Sequence, residues 1–398
     1  MVRRSFLGWS LRALLGALAA PAAARADATP HPRRVRLFLA GDVMTGRGLD
    51  QALATSVDPE LREPWIRDAR RYLELAQEVS GPFATPLSAE TPWGDALGEL
   101  GRARPHARIV NLETSVTTSG AFWPDKGIHY RMHPANVEVL RAAELDVAVL
   151  ANNHVMDFGR PGLRETLTAL HDAGIVTAGA GLDRRAATTP AALDLAPGRL
   201  WVAAYGARDA GVPPAWAAGS DRSGLAYLER PDAGEAERIA EAVRDVRHPG
   251  DRVVISVHWG GNWGYDVPPE HRTFARRLID AGSADVVFGH SSHHPKGLEV
   301  HDGRLIVYGA GDLLNDYEGI AGHEAYRPDL SLLYLPTLAP DGRLDELRMV
   351  PMRIRRLRLE RARGDDVRWL AATLDRVGRP LGSGVQRTAD DELHLTWS

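Results

Sequence analysis

Asp42, Glu113, Asn153, His154, His258, His290 and His293 each stand at or just past the end of a short apolar run, and their types suit a metal centre. Carboxylate oxygen, amide oxygen and imidazole nitrogen hold divalent Mn, Fe or Zn. A pair of such ions, about 3.5–4 Å apart, needs a bridging carboxylate and a mixed ligand set. One or two ions would polarise a phosphoryl or carbonyl oxygen, and His154 beside them is placed to protonate a leaving group. The chain has no cysteine, which excludes thiolate metal sites, disulfides and a cysteine nucleophile. His290, Ser291, His293 and His294 crowd one strand end, where core packing has no use for them. For Asn152-Asn153-His154 the alternative is a hydrogen-bonded turn, but Asp157 and Gly159 follow at once and favour a site. His258, beside Trp259 and Trp263, has the alternative of a satisfied core histidine.

The elements that must position these groups share one grammar. Val35–Ala40 runs into Gly41-Asp42, Ala107–Val110 into Asn111-Leu112-Glu113, and Asp146–Leu150 into Asn152-Asn153-His154. Val253–Val257 runs into His258, Ala284–Phe288 into Gly289-His290, and Leu305–Tyr308 into Gly309-Ala310-Gly311-Asp312. Short, continuously apolar, β-branched runs are strands buried on both faces. Helical stretches over 161–173, 233–246 and 269–281 alternate with them, so the fold class is α/β with helices covering both faces. In such folds ligands gather at the carboxyl ends of the strands, where every polar cluster falls. Residues 51–106 read as a long insertion with a helix near 60–79. Beyond 340, a strand over 347–354, a helix over 366–374 and a strand over 393–397 form a small β/α extension, residues 341–398, packing on the core.

The N-terminus reads as an export signal. Arg3-Arg4 precedes Ser5-Phe6-Leu7, a modest Leu/Ala-rich stretch follows, and Ala24-Arg25-Ala26 is a small-x-small cleavage site. This is the pattern of a twin-arginine signal over residues 1–26, with an ordinary secretory signal as the alternative. The protein is therefore expected in the periplasm or outside the cell, or held at the membrane if the signal stays uncleaved. The formal charge is −4, and removal of residues 1–26 leaves 44 basic against 52 acidic residues, a net of −8. That balance, without a basic run, gives no attraction to nucleic acid.

The ordered blocks Gly41-Asp42-Val43-Met44-Thr45-Gly46-Arg47, Asn111-Leu112-Glu113, Asn152-Asn153-His154 to Gly159, His258-Trp259-Gly260, Gly289-His290-Ser291-Ser292-His293, and Tyr308 to Asp312 with Asn315 to Gly319 resemble the CapA family of capsule or poly-gamma-glutamate synthesis proteins. That family is a branch of the calcineurin-like metallophosphoesterases. The resemblance covers nearly all of residues 35–320 and implies a four-layer αββα sandwich, a domain of residues 34–340, with the site at one sheet edge. It implies Asp42, Asn153, His258, His290 and His293 as metal ligands, Glu113 at the place of the bridging carboxylate, and His154 as the acid. Three departures stand out. Met44 occupies the place of a ligand histidine, Glu113 replaces a shorter carboxylate, and the final pair is His-x-x-His.

Around this set, Arg47 is a candidate anion clamp, with a salt bridge as the alternative. Trp259 is a candidate wall of a substrate groove, with packing as the alternative. Asp157, Asp312 and Asn315 are expected to orient the histidines. The function implied is an exported, metal-dependent, hydrolase-like protein in synthesis, release or remodelling of an anionic envelope polymer, working beside polymer-synthesis proteins. The alternatives are a general phosphomonoesterase or phosphodiesterase, and a non-catalytic binding partner in a polymer-synthesis assembly.

Overall fold

Strand Val35–Val43 shows in one element how the layers are built. Its side chains alternate across the pleat: Leu37 and Leu39 enter one apolar layer, and Phe38 and Ala40 the layer on the opposite face. Neighbouring strands repeat the division, with Val147 and Val149 on the first side and Ala148 and Leu150 on the second. The computed structural model describes residues 34–195 and 198–398. The expected export signal lies outside the described residues.

A ten-stranded sheet runs, from one edge, through Ser383–Arg387, Leu393–Trp397, Leu344–Arg355, Leu330–Leu338, Val35–Val43, Ala107–Leu112, Val147–Val149 and Val176–Ala178. Asp312–Leu314 pairs with Val35–Val43, and Arg358–Arg361 with Leu344–Arg355. A seven-stranded sheet runs through Tyr227–Leu228, Arg199–Ala207, Arg252–His258, Val286–His290, Arg304–Val307 and Leu298–His301, with Ala191–Asp194 beside Arg199–Ala207. Leu37, Val149, Val254 and Phe288 meet in the layer between the two sheets. Helices Arg70–Ser80, Asp95–Ala103 and Gly159–Asp172 cover the outer face of the first sheet, through Ala76, Leu100 and Leu163. Ala233–Arg244 and Pro269–Asp280 cover the second through Ile239 and Phe274. The order helix, sheet, sheet, helix is the four-layer α/β sandwich.

Within each sheet the strands that carry the polar clusters are parallel. Asp42 lies opposite Asn111 and Asp312, and His258 lies opposite His290. Parallel register brings their carboxyl ends to one edge, so residues far apart in sequence share one site.

Two regions differ from expectation. The helix expected over 60–79 begins only at Arg70. Upstream, Pro64 cannot continue a helix, and Glu60 and Asp68 bridge in antiparallel fashion, with the Leu61 N–H donating to the Arg67 carbonyl at 2.9 Å. Beyond residue 340 the chain continues the ten-stranded sheet itself: Leu344–Arg355 pairs with Leu330–Leu338 along the whole of that strand. The 340/341 boundary thus falls inside a hairpin.

Arg47 proves to be part of this framework and not an anion clamp. Its guanidinium grips Asp316 with Nε to Oδ2 at 3.2 Å and Nη2 to Oδ1 at 2.5 Å, while Nη1 donates to Glu63 Oε1 at 2.9 Å. The rings of Tyr72 and Tyr130 lie 3.8 and 4.5 Å from its carbon. With its side chain 2% exposed, the fork has no face left for a ligand. The cluster ties the first loop to residues 63, 72 and 316. Breaking a buried ion pair on one side leaves uncompensated charge, so Arg47→Met should lower unfolding free energy by about 3–5 kcal/mol. The measurement is the urea midpoint at unchanged m-value; a variant as stable as the wild type would return Arg47 to the ligand-contacting candidates.

Candidate metal centre

Asp42 stands at the middle of the site. Gly41 precedes it because a Cβ there would lie 1.9 Å from the Gly311 carbonyl oxygen, which accepts from the Asp42 N–H at 3.1 Å. The Asp42 carboxylate is fully buried and accepts from Asn111 Nδ2 at 2.7 Å on one oxygen and from the Ser291 N–H at 3.3 Å on the other. Ser291 holds that N–H in place at φ 99°, a region an L side chain rarely adopts, which marks a backbone constrained by its surroundings.

Two sets of potential ligands share this carboxylate. Asp42, His258 and His290 offer donor atoms within 4.8 Å of one another, and Asp42, His293 and Asp312 do the same. His258 and His290 face each other Nδ1 to Nδ1 at 2.8 Å, and His290 Nδ1 lies 3.8 Å from Asp42 Oδ1. Ser256 Oγ is 2.7 Å from His290 Nε2, and Asn153 Oδ1 is 3.1 Å from His258 Nε2, so both rings are held from behind or beside. His293 Nδ1 is 2.8 Å from Asp312 Oδ1, and Asn315 Nδ2 donates to Asp312 Oδ2 at 2.8 Å. Asp312 thus contacts His293 and is itself held by Asn315, and Asp312 in addition offers a donor atom to the second set.

Glu113 lies outside both sets, so the carboxylate they have in common is Asp42. Just past the end of Ala107–Leu112, Glu113 directs Oε1 toward His154 Nε2, 3.7 Å away, and its buried Oε2 has no hydrogen-bond partner among the described residues. His154 turns Nδ1 to Asp157 Oδ2 at 2.7 Å, and Asp157 also accepts from the Tyr130 N–H at 2.7 Å. Asp157 therefore lies against the ring of His154.

The electrostatics follow from burial. Desolvation, then the Asp312 carboxylate, pushes Asp42 up to about 7. Desolvation and Asp42 hold Glu113 well above the usual carboxylate range. Burial pushes His290 down to about 3, and burial with neighbouring His290 holds His258 well below its ordinary value. Burial likewise lowers His154, helped by Lys126. His293 differs: burial opposes its charge, but Asp312 outweighs burial and raises it. Uncharged imidazoles around crowded carboxylates are ready for a divalent cation, whose charge would compensate the acids without filling the imidazole lone pairs with protons. The donor set and the unpartnered Glu113 oxygen therefore fit such an ion.

Trp259 does not wall the site. Only 2% exposed, it stacks on His271 at 4.7 Å and donates from Nε1 to the Tyr308 carbonyl at 2.9 Å. It packs so close to Gly289 that a Cβ there would meet Nε1 at 2.5 Å, which explains the glycine before His290. Trp263 is the tryptophan near the site, its ring 5.4 Å from that of His293 and 3.8 Å from that of His323. Lys126, whose Nζ reaches both His154 Nδ1 at 2.9 Å and Asp157 Oδ1, was not singled out from the sequence. It lies in an irregular loop without a strand to point at it.

Comparison with known proteins places this geometry in a family. The chain is 44% identical over 368 residues to a probable polyglutamine synthesis accessory protein of Mycobacterium tuberculosis (strain ATCC 25618 / H37Rv), covering 92% of this chain and 97% of that protein. It is 29% identical over 283 residues to the capsule biosynthesis protein CapA of Bacillus anthracis, covering 71% of this chain and 60% of that one. To the PGA biosynthesis protein CapA of Bacillus subtilis (strain 168) it is 28% identical over 209 residues, 52% of each chain. Residues 36–317 match the model of the bacterial capsule synthesis protein PGA_cap. That span runs from the first strand through Asp42, Glu113, His154, His258, His290, His293 and Asp312, and the chain belongs to the PGA_cap (CapA) family of capsule and polyglutamate synthesis.

Proposed function

We propose that the protein is an exported, metal-dependent hydrolase acting on an anionic cell-envelope polymer or a phosphoester that serves its synthesis, release or remodelling. The observation that carries the reading is the sharing of buried Asp42 between two ligand sets, one with His258 and His290 and one with His293 and Asp312. Asn153 and Glu113 border them and complete an oxygen- and nitrogen-rich surround that suits Mn, Fe or Zn. A bound divalent ion would supply Lewis-acid polarisation of a phosphoryl or carbonyl oxygen. His154, whose Nδ1 lies against Asp157, presents Nε2 toward that region; held neutral by burial, it is the group to take a proton from an attacking water there and pass it to a leaving atom. The twin-arginine pattern supports export of a folded, metal-loaded chain, to the periplasm or beyond, where polymer-synthesis proteins would be its partners.

Elemental analysis of the purified protein should find one or two equivalents of a transition metal, lost in a His290→Ala, His293→Ala variant that keeps its circular dichroism. Hydrolysis of a generic phosphodiester or of gamma-linked polyglutamate should fall by about 10²-fold or more in His154→Ala with metal content unchanged. A folded protein that takes up no metal on reconstitution, yet binds the polymer, would select the non-catalytic alternative.

Stability should report the same ligand. Without a cation, Asp42 has a carboxyl raised from 3.8 to about 7. A raised carboxyl stabilises the metal-free fold at low pH, and that contribution is lost as pH rises through about 7. The chelator-treated protein should therefore show a lower Tm at about pH 8 than at about pH 5, and added metal should raise Tm more at the higher pH. An increment independent of pH would remove Asp42 from the ligand set.

A further inference from the structure

Of the 48 basic residues in the chain, 46 are arginine and two are lysine, Lys126 and Lys296. Lys296 is buried and reaches the Asp266 carbonyl at 3.4 Å. Lys126 lies elsewhere, in the surface turn between exposed Asp125, at φ 56°, and exposed Gly127, and it points inward. Its ammonium bonds Asp157 Oδ1 and sits 2.9 Å from His154 Nδ1, with the ring of Trp216 5.6 Å away. The side chain is 19% exposed while Asp157 is fully buried. It is therefore at the boundary between the buried dyad and solvent.

We propose that Lys126 contacts the oxyanion of the substrate, a phosphoryl or carboxylate group, as it comes to rest beside His154. This assignment rests on the reading of the site as hydrolytic. Three observations support it. The anion-contacting role expected of Arg47 is closed, because that side chain is 2% exposed and its guanidinium bonds Asp316 and Glu63. An anion approaching Asp42, Glu113, Asp312 and Asp157 is repelled unless a cation stands beside them, and among the described residues Lys126 is the partly exposed cation that touches His154. An ammonium has three N–H groups; Asp157 accepts one and His154 Nδ1, which also faces Asp157 Oδ2, accepts at most one more, which leaves at least one for a ligand. A lysine also suits the place better than the arginine this chain otherwise uses. A compact point charge with rotating donors can keep Asp157 while turning to an incoming oxyanion, whereas a planar fork would commit to one bidentate partner.

The test uses the full-length protein loaded with zinc, with inorganic phosphate and gamma-glutamylglutamate as separate probes, titrated calorimetrically. Lys126→Gln keeps an N–H donor for Asp157 while removing the charge. It should retain wild-type zinc content and lose about tenfold or more in affinity for at least one probe, and which probe suffers identifies the oxyanion. Wild-type affinity for both probes in the folded, zinc-bound variant overturns the proposal. The wild type supplies a second measurement that needs no variant. With two lysines, selective ¹³Cε labelling gives two resonances, and that of Lys126 should shift saturably with the bound anion while that of Lys296 stays. A Lys126 signal unmoved at saturation, or no binding of either probe by the wild type, overturns the assignment. Anion binding that depends on Lys126 in a protein that takes up no zinc would sink the hydrolase reading and leave Lys126 in place.

Discussion

The structure is organised around a concentration of buried negative charge. Asp42, Glu113 and Asp312 converge at one edge of the sheets, each at most 2% exposed. Like charges at such distances in a low-dielectric setting must take up protons or share a cation. The raised carboxyls of Asp42 and Glu113 are the first outcome, and the Nδ1 atoms of His258 and His290, turned to each other beside Asp42, prepare the second. Much of the nearby architecture serves this constraint. Asn111, Asn152 and Ser291 spend their donors within the cluster or on its frame, with Asn152 Nδ2 bonding Asn111 Oδ1 at 3.0 Å.

Parallel strands make such a cluster possible without strain along their length. Strand ends from both sheets reach the same edge, Asp42 and Asp312 from one and His258 and His290 from the other. Close packing sets the spacing: at Gly41 and Gly289 a methyl group would collide with Gly311 or with Trp259, so the residues next in line, Asp42 and His290, are set at a fixed depth. The buried cluster of Arg47, Glu63, Tyr72 and Asp316 then locks the loop after Asp42 to the segment after Asp312. The two segments that flank the shared carboxylate are thereby joined beside Tyr130 and Tyr317, whose rings in turn pack on His154 and His293.

The sequence made the strand ends legible because buried parallel strands are continuous apolar runs, and a polar group at the end of one is conspicuous. Asp42, His258 and His290 stand out that way, and Asp157 by its proximity to His154. Partners distant in sequence were not legible. Arg47 read as an anion clamp or a salt bridge, with no choice between them, because Asp316, 269 residues away, cannot be seen to occupy it. Trp259 read as a groove wall because nothing local shows that Tyr308 takes its N–H. Asp312 was expected only to orient a histidine, since its three-residue strand, Asp312–Leu314, is too short to announce that it lies directly opposite Asp42. Lys126 had no element to mark it, although its rarity among so many arginines was already present in the composition.

Asp312 also bears on the departure at Met44. The thioether there is buried, with the Tyr317 hydroxyl 3.9 Å from its sulfur, and a thioether is a poor ligand for Mn- or Zn-type ions. The set of Asp42, His293 and Asp312 is complete without residue 44. Under the hydrolase reading, a carboxylate thus stands in where a neutral imidazole is missing. That exchange keeps the number of donors but adds negative charge, which favours a harder ion such as Mn over a softer one. It also lowers the net positive charge a bound ion presents to an anionic substrate. Under that reading, a site with this ligand set would need an additional nearby cation more than one built with the imidazole, and the partly exposed ammonium of Lys126 lies beside His154.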